Sequence, residues 1–246
     1  MRVHLVSMRI IALASGKGGV GRTTITANLG IALSGLGKST IIIDASLTTP
    51  DLAFLFKLEK SVYTVNDALA GEASLEDVLY NGPKGVKIAP AAVTLEQIKR
   101  ARPERLPELL SQVPQKTDFV LIDAPGGLRR ETVTAIRAAR EILLVTAPEM
   151  VSVSDCMKTR LISEFLGSTP IGVVLNRVRR EEFELKSGDI KTILNVPVLA
   201  EIPEDEKVGQ ALKQGKPLLV LDAKAPAAKA IMGLAKRLLK VKAQAP

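Results

Sequence analysis

The stretch richest in chemistry in this 246-residue chain is Gly16-Lys17-Gly18-Gly19-Val20-Gly21-Arg22-Thr23. It fits the spacing of a phosphate-binding loop, G-x-x-x-x-G-K-[ST], with Arg22 where lysine usually stands. Glycines let backbone N–H groups converge on phosphate oxygens, and a helix opening at the end of the loop adds its dipole. The Thr23 hydroxyl is placed to ligate magnesium, and Thr24 can donate to the next phosphate inward.

Two apolar runs elsewhere end in a carboxylate: Ile41-Ile42-Ile43-Asp44, and Phe119 to Asp123, which leads into Ala124-Pro125-Gly126-Gly127. An acid at the C-terminal end of a buried strand stands at the edge where open α/β sheets bind ligands. Asn176 closes a third run, and its amide offers one donor and one acceptor face, complementary to the N6 and N7 edge of adenine. Guanine readers of the Asn-Lys-x-Asp type place an acid that accepts from guanine. Here the sequence is Asn176-Arg177-Val178-Arg179, with a cation in that place. Adenine is favoured.

Lys17 lies inside the loop, earlier than the usual phosphate-binding lysine. With Gly18-Gly19-Val20-Gly21 and Thr23-Thr24 around it, the segment resembles the deviant Walker A motif, KGGxGK(S/T), of the Mrp/MinD/ParA family of dimeric ATPases. The resemblance implies ATP/ADP and Mg2+ as cofactors and a homodimer in which Lys17 reaches the partner's nucleotide. Arg22 takes the place of the phosphate lysine. Guanidinium stays cationic and can fork onto phosphate oxygens, but it is bulkier than an ammonium, so nucleotide binding is expected to survive while turnover is left open.

The family's first switch reads DxD, one acid near magnesium and one orienting water. Asp44 matches the first, whereas Ser46 stands in place of the second. A hydroxyl can hold water but lacks a carboxylate's basicity, so hydrolysis is expected to be slow, with Asp51 as the alternative water-positioning group. The run ending in Asp123 resembles Walker B, its acid holding magnesium directly or through water, and Gly126-Gly127 resembles the switch that follows the γ-phosphate. The Ile202-Pro203-Glu204-Asp205 turn matches the family's base-side loop. The resemblance thus gives Lys17, Asp44 and Ser46 as catalytic candidates and Thr23, Asp44 and Asp123 as metal candidates. Gly16 to Thr24, Asn176, Arg177, Pro203, Glu204 and Asp205 form the nucleotide cradle.

Positioning such a set requires alternating strands and helices. Continuously apolar runs occur at Ile10 to Ala14, Thr40 to Asp44, Val86 to Ala89, Phe119 to Asp123, Ile142 to Thr146, Ile171 to Asn176 and Val198 to Ile202. That is the pattern of strands buried on both faces. Helical periodicity spans Thr23 to Ser34, Leu128 to Ala139 and Ser152 to Leu166, which predicts an α/β, doubly wound, mostly parallel sheet. Ser74-Leu75-Glu76-Asp77 reads as a helix N-terminus. With no repeat or Gly/Ser linker, residues 1–246 read as a single P-loop ATPase domain.

Composition narrows the partners. Aromatics are 3% with no Trp, leaving few platforms for stacking single-stranded nucleic acid. Of the +8 net charge, six positive charges (Lys224, Lys229, Lys236, Arg237, Lys240 and Lys242) fall in an acid-free tail, leaving 28 cations against 26 acids in the rest. Nucleic acid is therefore not expected as a partner. One cysteine and one histidine exclude an intramolecular disulfide and a closed Cys/His zinc site. No apolar run approaches about 20 residues, and the chain reads as cytoplasmic.

Cys156 reads as a small buried hydrophobe, His4 as solvated, and Arg129, Arg130, Arg137 and Arg140 as a solvated helix face. Ile231, Leu234, Ala235, Leu238 and Leu239 make an apolar stripe suited to packing on the sheet, with membrane contact as the less favoured use. Within the family, the arginine-bearing loop resembles the archaeal MinD-like ATPases that assist nickel insertion in [NiFe] hydrogenase maturation. That likeness implies a protein client, a nickel metallochaperone that itself holds the metal, because this chain has almost no soft or imidazole ligands. The alternatives are a MinD-like membrane-associated spatial regulator of cell division and a ParA-like partitioning ATPase.

Overall fold

A computed structural model of the chain describes residues 8–48 and 50–241. Its strands are β1 (Arg9–Ala14), β2 (Thr40–Asp44), β3 (Tyr80–Asn81), β4 (Lys87–Ala89), β5 (Phe119–Asp123), β6 (Glu141–Thr146), β7 (Thr169–Val178) and β8 (Val198–Pro203). They form one sheet in the order β3-β4-β2-β5-β1-β6-β7-β8. Every pairing is parallel except β3 with β4. The predicted doubly wound sheet is present, and each continuously apolar run coincides with a strand. β3, two residues long, was not anticipated, because so short an edge pairing carries no periodicity.

The continuous apolar runs have a direct cause in the two-residue period of a strand. Ala12, Ile41, Ile43, Val120, Ile122 and Leu144 pack on one face of the sheet. Ile11, Leu13, Ile42, Leu121, Leu143 and Val145, their chain neighbours, pack on the other. The first face is covered by helices including Arg130–Ala138 and Met150–Phe165, and the second by Arg22–Gly35 and Pro226–Leu238.

The last of these helices buries Ile231, Leu234, Ala235 and Leu238 against β8 and the helix Arg22–Gly35, while Leu239 stays half-exposed. The apolar stripe of the tail is therefore sheet packing. At the same end of the sheet the Arg9 guanidinium donates to Glu141 Oε2 (2.7 Å) and to the carbonyls of Leu238 (2.7 Å) and Val241 (3.2 Å). Arg9, the cation that interrupts the N-terminal apolar stretch, thus anchors the C-terminal helix to β1.

Local expectations met two adjustments. At the predicted N-terminus Ser74 N and Oγ donate to Asp77 Oδ2 (2.8 and 2.6 Å) and Asp77 N donates back to Ser74 Oγ (3.3 Å), but only a single 3-10 turn follows, Glu76–Val78. The helix predicted from Leu128 starts at Arg130, because Arg129 is extended and serves as its N-cap. Cys156 is fully buried, and burial pushes its thiol up to about 12. Arg129, Arg130, Arg137 and Arg140 are exposed. His4 and Lys242 lie outside the described residues.

Candidate functional site

The loop of residues 15–21 leaves the C-terminal end of β1, a central strand of the parallel sheet, and enters the helix Arg22–Gly35. Gly21 caps that helix at φ 86°, a conformation open to glycine at little cost. No side chain caps the helix and no acid lies in its first turn, so its N-terminal amides and dipole face the loop uncompensated. The glycine switch presses on the same loop: a Cβ on Gly126 would come within 2.9 Å of the Gly18 Cα, so only glycine fits there.

The carboxylates gather at the adjoining strand ends. Asp44 and Asp123 are register partners on β2 and β5 and are fully buried. Asp123 Oδ2 accepts from Thr23 Oγ1 (2.7 Å), and its Oδ1 accepts from Thr26 Oγ1 (3.0 Å) and lies 3.6 Å from Arg22 Nε. Asp44 Oδ1 accepts from the Ser46 backbone N–H (2.9 Å), whereas Oδ2 is buried with no partner, as is Arg22 Nε. Burial, with the facing Asp123 charge second, holds the Asp44 carboxyl well above the usual carboxylate range. Burial also raises Asp123, opposed by the Arg22 guanidinium and the two threonine hydroxyls.

Two buried carboxylates and a hydroxyl form a hard oxygen set that suits magnesium. The unmet Asp44 oxygen is an acceptor left over for a cation shell, whereas the buried Arg22 Nε faces the Asp123 carboxylate at 3.6 Å.

A cleft of about 340 Å³ opens beside the loop, lined among others by Gly21, Arg22, Thr23, Thr24, Asp51 and Phe54. A second, of about 160 Å³, is lined by Asn176, Arg177, Pro203, Glu204 and Asp205 and shares Gly21, Thr24, Arg177 and Leu212 with the first. The residues expected to hold phosphates and those expected to hold a base therefore line two joined clefts. The Asn176 amide is not wholly free: Nδ2 donates to Val20 O (2.7 Å), leaving the carbonyl and one N–H for a base. Asp205 is also partly engaged, with Oδ1 accepting from Lys207 N (2.9 Å) and Oδ2 from Ala227 N (3.1 Å).

Ser46 is not brought to either cleft. Like Asp44 and Asp123 it is buried and lines neither, its N–H bound to Asp44, while Asp51, in the first turn of the short helix Asp51–Phe56, lines the phosphate-side cleft. Lys17 is exposed and lines a third cleft of about 300 Å³ with Gly18, Glu149, Arg177, Arg179 and Phe183. Among the described residues it makes no ion pair.

Sequence reasoning missed Thr26, which repeats Thr23 one helical turn later and supplies the second hydroxyl to Asp123. It also missed Asn28, which accepts from Leu219 N (2.8 Å) and donates to Thr24 O (2.7 Å). The spacing Thr23, Thr26 was a legible signal, since i and i+3 share a helix face.

Comparison with known proteins supplies the remaining context. The ParA family model, described as NUBPL iron-transfer P-loop NTPase, matches residues 7–239. An uncharacterised ATP-binding protein of Methanocaldococcus jannaschii is 43% identical over 235 residues, 96% of this chain and 89% of the relative. The structure of the cell division ATPase MinD of Pyrococcus furiosus superposes with a TM-score of 0.91 at 36% identity, covering 95% of this chain and 99% of that one. The septum site-determining protein MinD of Pyrococcus horikoshii, complexed with Mg-ADP, gives 0.90 at 36% identity over 97% and 100%. The MinC:MinD cell division protein complex of Aquifex aeolicus matches at 0.83 and 30% identity, over 97% and 98%.

Proposed function

The chain belongs to the ParA/MinD family of P-loop NTPases, and from that premise we propose that it is a magnesium-dependent ATPase whose bound nucleotide gates a homodimer and its hold on a protein client. The observation that carries this reading is an uncapped helix N-terminus and Thr23 on the wall of a cleft that continues to Asn176, with Asp123 buried behind the Thr23 hydroxyl it accepts from and Asp44 beside it as its register partner. The similar Pyrococcus horikoshii protein was obtained with Mg-ADP, which supports the same ligands here.

In this reading the loop amides and Arg22 bind the phosphates, and Asn176, Arg177 and the 203–205 turn bind the base. Thr23, Asp44 and Asp123 would hold magnesium, directly or through water. When bound, the ion would neutralise charge on the transferring phosphate. Asp51, the carboxylate lining the cleft, is the group best able to orient the attacking water, since Ser46 is buried away from it. Lys17, exposed at the loop's outer edge, is free to contact a nucleotide held by a second copy of the chain.

Two clients are proposed, on different grounds. The arginine in the loop favours a nickel metallochaperone. Among the described residues there is no group of three or more His, Cys, Asp or Glu that could hold a metal, so nickel would travel on the partner. Similarity to MinD proteins, one of them in complex with MinC, favours a cell-division client. Among the described residues no helix is long and apolar enough to cross a membrane.

Calorimetry with ADP and a non-hydrolysable ATP analogue, phosphate release, and light scattering test the ATPase switch. Absence of Mg-nucleotide binding overturns it. Pull-down from the native cell with ATP and then ADP separates the clients.

A further inference from the structure

Ser15 has no part in the proposed function, yet it is the junction of the phosphate loop. The residue is fully buried between the end of β1 and Gly16. Its hydroxyl donates to the Lys17 carbonyl (2.8 Å) and accepts from Arg22 Nη1, and its own carbonyl accepts from the Gly127 N–H of the switch (3.2 Å). One side chain therefore joins the loop's early lysine to its late arginine, beside the glycine switch.

We propose that Ser15 is a positioning residue that adapts this loop to arginine. A lysine at position 22 would present one compact ammonium, whereas guanidinium is a rigid fork with five N–H groups on a bulkier head. With five donors on a rigid fork, one arm can be held by the protein while others face the cleft. The Ser15 hydroxyl takes up Nη1, and Asp123 stands 3.6 Å from Nε. The guanidinium is thereby turned so that its remaining donors stay at the cleft that Arg22 lines. The donor bond to Lys17 O fixes the hydroxyl's own orientation, so its lone pair rather than its proton faces Arg22. Ser15 touches neither nucleotide nor water in this scheme and acts through Arg22.

The inference rests on the nucleotide reading of the loop, and its test separates the two. ATP-analogue and ADP affinities are measured by calorimetry for wild type, Ser15→Ala, Arg22→Lys and the double variant, with thermal melting of each. The expected result is a loss of about tenfold or more in analogue affinity for Ser15→Ala in the arginine background, the scale of one hydrogen bond to a charged group. The same substitution should change affinity less than about twofold when residue 22 is lysine.

Equal losses in both backgrounds, or none in either, overturn the proposal even if the wild type binds normally. Absence of binding by the wild type overturns the nucleotide reading itself. Should Ser15→Ala melt too low for calorimetry, nitrogen-15 spectra of Arg22 in the intact protein decide. Slowly rotating, separately resolved Nη protons support the bond to Ser15, and averaged ones overturn it.

Discussion

Asp44 and Asp123 stand opposite each other on adjacent parallel strands, both fully buried, with one Asp44 oxygen unpartnered. Each carboxyl is pushed upward by burial, and Asp44 also by its neighbour's charge. A carboxyl whose folded pKa exceeds its unfolded value of about 4 binds more protons when folded. It therefore destabilises the fold progressively as pH rises from the unfolded value through the folded one. A bound cation reverses that cost.

Asp44→Asn should accordingly stabilise the nucleotide-free protein. The Ser46 N–H can still donate to the amide oxygen, and the former Oδ2 position becomes a donor near the Asp123 carboxylate. The gain expected at pH 8 is about 1 kcal/mol, or roughly 2 to 4 °C in melting temperature for a chain of this size. Adding Mg-ADP should raise the wild-type melting temperature much more than that of the variant. A variant that melts lower than wild type without ligand would refute this account of the pair.

Nucleotide choice follows from Asn176. With Nδ2 held by Val20 O, its carbonyl remains to accept the adenine N6 amino group. Arg179 stands where the guanine-reading acid of Asn-Lys-x-Asp would be, and Glu184 in the loop after β7 is engaged by Arg179 N (3.0 and 3.1 Å) and Arg180 N (2.7 Å). ATP should bind at least about tenfold tighter than GTP, one good bidentate contact's worth of discrimination. Competition calorimetry checks this, and equal or tighter GTP binding rejects it.

The water-positioning role divides Asp51 from Ser46. Asp51→Asn should slow phosphate release by about a hundredfold, the lower range for loss of a general base, with ATP affinity little changed. Ser46→Ala should alter the rate by less than about twofold, as expected of a residue outside the reacting set. A large loss on Ser46→Ala with none on Asp51→Asn would return the role to the first switch.

Arg9 supplies a stability prediction at the opposite end of β1. It neutralises the buried Glu141 and satisfies two carbonyls at the end of the C-terminal helix. Arg9→Met should cost about 3 to 5 kcal/mol in urea unfolding, since it leaves Glu141 buried and unpaired. Adding Glu141→Leu should restore much of this, and nucleotide affinity should not change in either.

How much of the fold and site was legible beforehand depended on the range of the determining forces. Strand runs such as Ile41–Asp44 were readable because burial on both faces writes itself into consecutive residues. The loop was readable because glycine spacing is a local steric requirement. The Ser15–Arg22 bond, the Asn176–Val20 bond and the placement of Asp51 rather than Ser46 at the cleft were not. Each depends on where a side chain turns after the chain has folded, and the second joins residues 156 positions apart. The role of Arg9 was hidden for the same reason, since its partner Glu141, the first residue of β6, lies 132 positions away.

Lys17 makes the dimer testable. It is exposed beside Gly18 and Gly19, and among the described residues it forms no ion pair, so its charge is available to a second molecule facing the loop. A cation held by glycine-loop backbone cannot easily fold back onto its own terminal phosphate. It can reach a nucleotide across a twofold axis, where a charge-assisted hydrogen bond would form only in the closed dimer. Lys17→Ala should then keep nucleotide affinity close to wild type while removing analogue-driven dimerisation in light scattering. Control of client binding should go with it, a coupling of about 1 to 3 kcal/mol. Titrating a nickel metallochaperone against both proteins, with ADP and with the analogue, reads that coupling directly. Identical nucleotide effects in wild type and Lys17→Ala would eliminate the cross-dimer role. No chaperone binding under any condition would move the client to the cell-division side.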